Sequence, residues 1–240
     1  MIEVPKDYPY EVKSINVKGK EVVVCGVVHN HKSYVKYKDF LEEAIKDSCG
    51  IVFEADIEDL KKGLKDDDFE GPAVALFAAA ANFKKDLYKV DPWNGQIADV
   101  LLDKYRALRN PTDRKALLKI IFELLEKKLE DRDEPITPIE MSIYRAMSFQ
   151  FNLIHWDYRE TGIGEGLDKI INLEKDLKTG YLLAIHGADH TEGIAYYLEN
   201  PDERKATLEG YHSQGIKGQE TVRKHSFIDD KWVKVYEGEY

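Results

Sequence analysis

The residues able to do chemistry in this chain gather at the ends of apolar runs. Gly26-Val27-Val28-His29 and Gly187-Ala188-Asp189-His190 share a Gly-x-x-His pattern, and each completes or follows a β-rich stretch. A glycine there lets the backbone turn sharply and lets another segment approach closely. The histidine then projects as a metal ligand or a general base. Between the two patterns, Ile51-Val52-Phe53 ends on Glu54 with Asp56 two residues on, and Leu87-Tyr88-Lys89-Val90 ends on Asp91. His186 closes the run before Gly187, and His31 follows His29. Imidazole and carboxylate on separate strand ends suit a divalent ion (Mn²⁺, Co²⁺ or Zn²⁺) that lowers the pKa of a bound water, with His29, Glu54 and His190 as ligands. They suit equally a metal-free pair in which Glu54 orients the imidazole that activates water.

Each residue also has a plain structural explanation. His190 and Asp189 stand where a helix starting at Thr191 would be capped, and Asp91 before Pro92 is a common turn former. Arg159 is either an ordinary ion-pair partner or the cation that an oxyanion or a substrate carboxylate needs. His186 shares the strand end of the second motif but projects to a face that the sequence leaves open. Glu54 follows an apolar run, where an unpartnered carboxylate is costly to bury.

These side chains need elements to position them. Val12–Val17 and Glu21–Val28 are β-branched runs around Lys18-Gly19-Lys20, which predicts a hairpin. The second run is apolar on both faces, as in a covered central strand. A helix over Tyr37–Lys46 and a strand over Gly50–Glu54 complete a βαβ unit. Further on, the pattern predicts a helix over Ala73–Lys84, a strand over Leu87–Val90 and helical sequence from Gly95 to about Asp131. It then predicts helices over Ile139–Tyr158 and Leu167–Leu177, with Gly162-Ile163-Gly164-Glu165-Gly166 as a loop over the cleft. Gly180–Ile185 is a strand feeding a helix over Thr191–Glu199 that stops at Asn200-Pro201. Gly210–Gly218 is a loop and Trp232–Tyr236 a closing strand. The expected fold is α/β: one domain over 1–240, with a mostly parallel central sheet flanked by helices and a helical insertion at about 95–160 between its halves. Ligands of such sheets bind beyond the carboxyl ends of the strands, where His29, Glu54, Asp91, His186 and His190 all fall.

Composition narrows the chemistry. Lys plus Arg is 35 against 45 Asp plus Glu, a net charge of −10 that repels phosphate backbones and argues against nucleic acid as a partner. The longest uncharged apolar run, Gly71–Phe83, falls well short of the roughly 20 residues that span a bilayer. The amino terminus has no signal-peptide pattern, and two cysteines, Cys25 and Cys49, are too few for a disulfide framework. The expectation is a cytoplasmic protein acting on a small molecule or peptide, without a membrane partner. Phosphate-loop, Gly-x-Ser-x-Gly and His-Glu-x-x-His motifs are absent from the sequence.

Val24-Cys25-Gly26-Val27-Val28-His29, Ile51-Val52-Phe53-Glu54-Ala55-Asp56 and Ala184-Ile185-His186-Gly187-Ala188-Asp189-His190-Thr191-Glu192-Gly193-Ile194 together resemble the TraB/TIKI/erythromycin-esterase/ChaN-like superfamily. Tyr158-Arg159-Glu160 resembles the arginine segment that precedes the second histidine motif. The resemblance runs over roughly residues 20–200 in motif order. It implies a hydrolase-like α/β fold with a cleft lined by both histidines, Glu54 and Arg159. TIKI-like members are similar to metal-dependent peptidases, erythromycin-esterase-like members hydrolyse carboxylic esters, and ChaN-like members bind haem. The esterase pattern has Gly-Glu before its first histidine where this chain has Gly26-Val27, which favours the TIKI/TraB side. The resulting expectation is hydrolysis of a peptide or ester bond by activated water. His29, Glu54, Arg159 and His190 would be catalytic, and His186, Asp91 and Asp189 would bind substrate. The alternative is a haem- or metabolite-binding signalling or effector protein using the same cleft without turnover.

Overall fold

A computed structural model describes residues 2–27, 31–54, 72–92, 138–174, 180–213 and 215–240. Its centre is a seven-stranded sheet made of β1 (Val12–Val17), β2 (Lys20–Val27), β3 (Gly50–Phe53), β4 (Leu87–Lys89), β5 (Leu182–Gly187), β6 (Thr221–Ile228) and β7 (Lys231–Glu239). The spatial order is β1-β2-β5-β3-β4-β6-β7. The four inner strands, β2, β5, β3 and β4, run parallel, and β1, β6 and β7 add antiparallel margins. The fold is therefore α/β, with a mixed sheet that is parallel at its centre. The expected insertion over 95–160 lies mostly outside the described residues.

Two tight turns build the margins. Lys18 and Gly19 both have positive φ (52° and 79°), the geometry of a two-residue hairpin whose twist matches its strands, and Asn16 Oδ1 accepts the Gly19 N–H at 3.0 Å. Asp229 and Asp230 repeat that geometry between β6 and β7. Strand β6 was not foreseen, because Thr221–Ile228 carries Arg223, Lys224 and His225 among its apolar residues.

Alternation along the strands divides the core into two layers. Val23, Cys25, Ile51, Phe53, Leu183 and Ile185 face α1 (His31–Asp47) and α2 (Pro72–Asn82). Val22, Val24, Val52, Leu182 and Ala184 face α3 (Pro138–Leu173) and α4 (Thr191–Glu199). Ile163, Leu167 and Ile170 of α3 are fully buried there, each contributing about 1.5–3 kcal/mol relative to exposure. Among the described residues no helix is long and apolar enough to cross a membrane.

Two sequence expectations are corrected. The predicted helices over Ile139–Tyr158 and Leu167–Leu177 belong to one continuous helix, α3, and Gly162–Gly166 is helical rather than a loop. Glycine weakens a helix interior, but here it lets the helix pack closely: a Cβ at Gly162 would overlap the Pro92 ring, and one at Gly166 would sit 2.6 Å from Val90 Cβ. The predicted stop at Asn200-Pro201 ends α4 and also opens α5 (Pro201–Ser213), which takes in the first residues of the expected Gly210–Gly218 loop. Proline suits the first helical position, and Asp202 and Glu203 complement the amino-terminal dipole.

Candidate functional site

Strand β3 points Phe53 into the α1/α2 layer, so the next residue, Glu54, turns toward α3. The same alternation on β5 sends Ile185 to the α1/α2 side and His186 to the α3/α4 side. Arg159 descends from α3 to meet these strand ends and is buried. Its Nε donates to Asp91 Oδ1 at 3.2 Å and its Nη2 to Asp91 Oδ2 at 2.5 Å, a two-pronged pair. Nη2 also donates to Glu54 Oε1 at 2.5 Å. Glu54 Oε2 accepts the Gly187 N–H at 2.9 Å, and Lys89 Nζ donates to the Glu54 carbonyl. One guanidinium thus clasps the ends of β3 and β4, and Glu54 joins them to β5. Burial pulls the Arg159 pKa down, but hydrogen bonds and charge from Asp91 and Glu54 outweigh it and hold the pKa above its usual value.

His190 occupies the short 3-10 turn Ala188–His190 that joins β5 to α4. Its Nδ1 lies 2.9 Å from Glu160 Oε1, and its Nε2 lies 3.4 Å from Arg159 Nη1. A carboxylate at Nδ1 selects the tautomer with the proton there, leaving the lone pair on Nε2 toward the guanidinium. Glu160 reaches the ring because Gly193 leaves it space: a Cβ on Gly193 would collide with the Glu160 carboxylate. The Trp156 ring, one turn before Glu160 on α3, meets the imidazole edge to face at 6.3 Å.

His186 is 1% exposed, and neither ring nitrogen has a hydrogen-bond partner among the described residues. Burial lowers its pKa to about 4, against a smaller upward pull from Glu54 and Asp91. The ring is therefore neutral at ordinary pH.

The structure thus brings together Glu54, Asp91, Arg159, His186 and His190 from the sequence-derived set. His29 and Asp56 lie outside the described residues, and His31 opens α1 with its side chain outside them. Asp189 is exposed on the turn. It makes no hydrogen bond to the group among the described residues. On His190 the carboxylate at Nδ1 is Glu160, while Glu54 binds Arg159. The signal for Glu160 was helical spacing: Trp156 and Glu160 are four apart and share a face, which emerges only when α3 is read as unbroken.

The expected metal ligands can be tested against this geometry. Glu54 and His190 both face the Arg159 guanidinium, so the described members of that set already surround a cation. Among the described residues no group of three or more His, Cys, Asp or Glu side chains is placed to hold a metal ion. His29, the third of the expected ligands, lies outside the described residues. No family model, curated protein or solved structure matches the chain.

Proposed function

We propose that this protein is a hydrolase that cleaves an ester or peptide bond with a water activated by His190, without a metal. The observation that carries this reading is the chain Glu160–His190–Arg159: a carboxylate at 2.9 Å on Nδ1 and a guanidinium nitrogen at 3.4 Å on the Nε2 side. Glu160 holds the ring in the tautomer whose Nε2 accepts a proton. A water that takes the place of Arg159 Nη1 at the Nε2 lone pair loses its proton to the imidazole as its oxygen attacks the carbonyl carbon. The charge that develops on the carbonyl oxygen faces Arg159 Nη1, which Asp91 and Glu54 fix in place before substrate arrives. When the carbon–leaving-group bond breaks, the imidazolium returns its proton to the departing oxygen or nitrogen. This arrangement has the two groups of the metal-free reading, with Glu160 in the place expected for Glu54.

The test is a panel of activated esters and short peptides assayed with wild type, His190→Ala and Glu160→Gln. A loss of about 10²–10⁴-fold in kcat for His190→Ala, with a smaller loss for Glu160→Gln and folding intact, is expected. Turnover that survives His190→Ala in a folded protein overturns the reading.

A further inference from the structure

The groups around His190 also select what can bind there. Two carboxylates, Glu54 and Asp91, make three hydrogen bonds with one guanidinium, and a third, Glu160, sits on the His190 ring. Lys89 Nζ donates to the Glu54 carbonyl beside it. His186 lies within electrostatic reach of Glu54, Asp91, His190 and Arg159, is 1% exposed, and has no partner for either nitrogen among the described residues. A buried imidazole without a hydrogen-bond partner is costly, and this one faces the cluster. Burial keeps the ring uncharged, so it adds nothing to attract an anion.

An aromatic side chain flanks His190. Trp156 is 47% exposed although it packs against the His190 ring, and Glu160 lies one helical turn away on the same face. An exposed indole beside a carboxylate is a recognition surface for a cation: the ring face attracts the charge and the carboxylate neutralises it.

We propose that the site selects substrates with a cationic head, an alkylammonium or guanidinium group, seated on Trp156 beside Glu160 while the scissile carbonyl reaches His190. The proposal rests on the hydrolase reading for its reacting carbonyl, but recognition of the cation does not require turnover. Substrates with a carboxylate or phosphate at that position are repelled by Glu160 and Glu54.

The experiment separates the two statements. Tryptophan fluorescence of the full chain is titrated with butyrylcholine, with its uncharged isostere 3,3-dimethylbutyl butyrate, and with monoethyl succinate as an anionic ester; hydrolysis is followed in parallel. Roughly tenfold tighter binding of the cation than of the isostere is expected. That preference should shrink to under about threefold in Trp156→Leu and be partly kept in Trp156→Phe, with unchanged circular dichroism. Equal binding of cation and isostere, preference for the anion, binding of none of the three, or a preference unchanged in Trp156→Leu each overturns the proposal. Selective binding without hydrolysis of any ester or peptide upholds it and removes the hydrolase reading alone.

Discussion

Two buried arginines in this protein have nearly the same immediate chemistry and different uses. Arg204 on α5 donates from Nε to Glu165 at 2.8 Å and from Nη1 to the Tyr197 carbonyl at 3.0 Å, with Asp168 3.7 Å from Nη2. Arg159 likewise meets two carboxylates, and it also faces an imidazole nitrogen. The partners of Arg204 are two carboxylates one turn apart on α3 and a carbonyl of α4, so it fastens helix to helix. The partners of Arg159 come from β3, from the end of β4 and from the turn after β5, three segments distant in sequence. Burial of the guanidiniums themselves does not distinguish the two. The distinction lies in a further contact: Arg204 donates to a carbonyl, whereas Arg159 faces a ring nitrogen of an imidazole whose other nitrogen meets Glu160.

Substitution should separate the two most clearly at Arg159. Arg159→Met leaves Asp91 and Glu54 facing each other without their cation, so a loss of about 3–5 kcal/mol is expected in urea unfolding. A loss below about 1 kcal/mol would make this guanidinium no more than a surface ion pair.

The second largest effect belongs to His186. Its folded pKa, about 4, lies below the ordinary 6.5, so the unfolded chain binds the proton more readily between those values. The contribution is complete above about pH 6.5 and is lost as pH falls toward 4, a total of about 3 kcal/mol. His186→Leu should flatten that limb of the stability profile. Parallel profiles for the two proteins would mean that the imidazole is not buried uncharged.

Arg204→Met should cost less, about 1–2 kcal/mol, because Glu165 and Asp168 keep part of their side chains in water. If it costs as much as Arg159→Met, the contrast between the two clasps fails. The smallest change in stability is expected from Gly193→Ala. There a gain in helix propensity of about 1 kcal/mol offsets the crowding of Glu160, leaving unfolding within about 1 kcal/mol of wild type. Hydrolysis should nevertheless fall about as far as in Glu160→Gln, because the carboxylate is pushed off Nδ1. Full activity in Gly193→Ala would show that Glu160 need not sit where it does.

Much of this arrangement could be read from residue order. The apolar stretches of β3 and β5 mark covered strands, and the residues at or just beyond the ends of β3, β4 and β5 (Glu54, Asp91, His186 and His190) point to one edge of the sheet. Close approach at the first Gly-x-x-His motif is also visible: a Cβ at Gly26 would sit 2.6 Å from Thr191 Oγ1. The rest depended on partners distant in sequence. The glycines of α3 looked like a break because propensity is local, whereas Pro92 and Val90, which need the space, are supplied by the segment after β4. Splitting α3 hid the alignment of Trp156 with Glu160, and with it the orienting carboxylate. Pro201 was read only as a stop, although α5 begins at it.

The strand order carries a consequence for how the chain is made. Strand β5 lies between β2 and β3, yet it is synthesised more than a hundred residues after either. During synthesis β2 and β3 therefore wait with unpaired edges that invite association with other chains. The clasp cannot close until β5 threads between them and brings the Gly187 amide to Glu54. This non-local pairing raises the contact order of the fold, and the Gly187–Glu54 contact forms only once β5 has inserted.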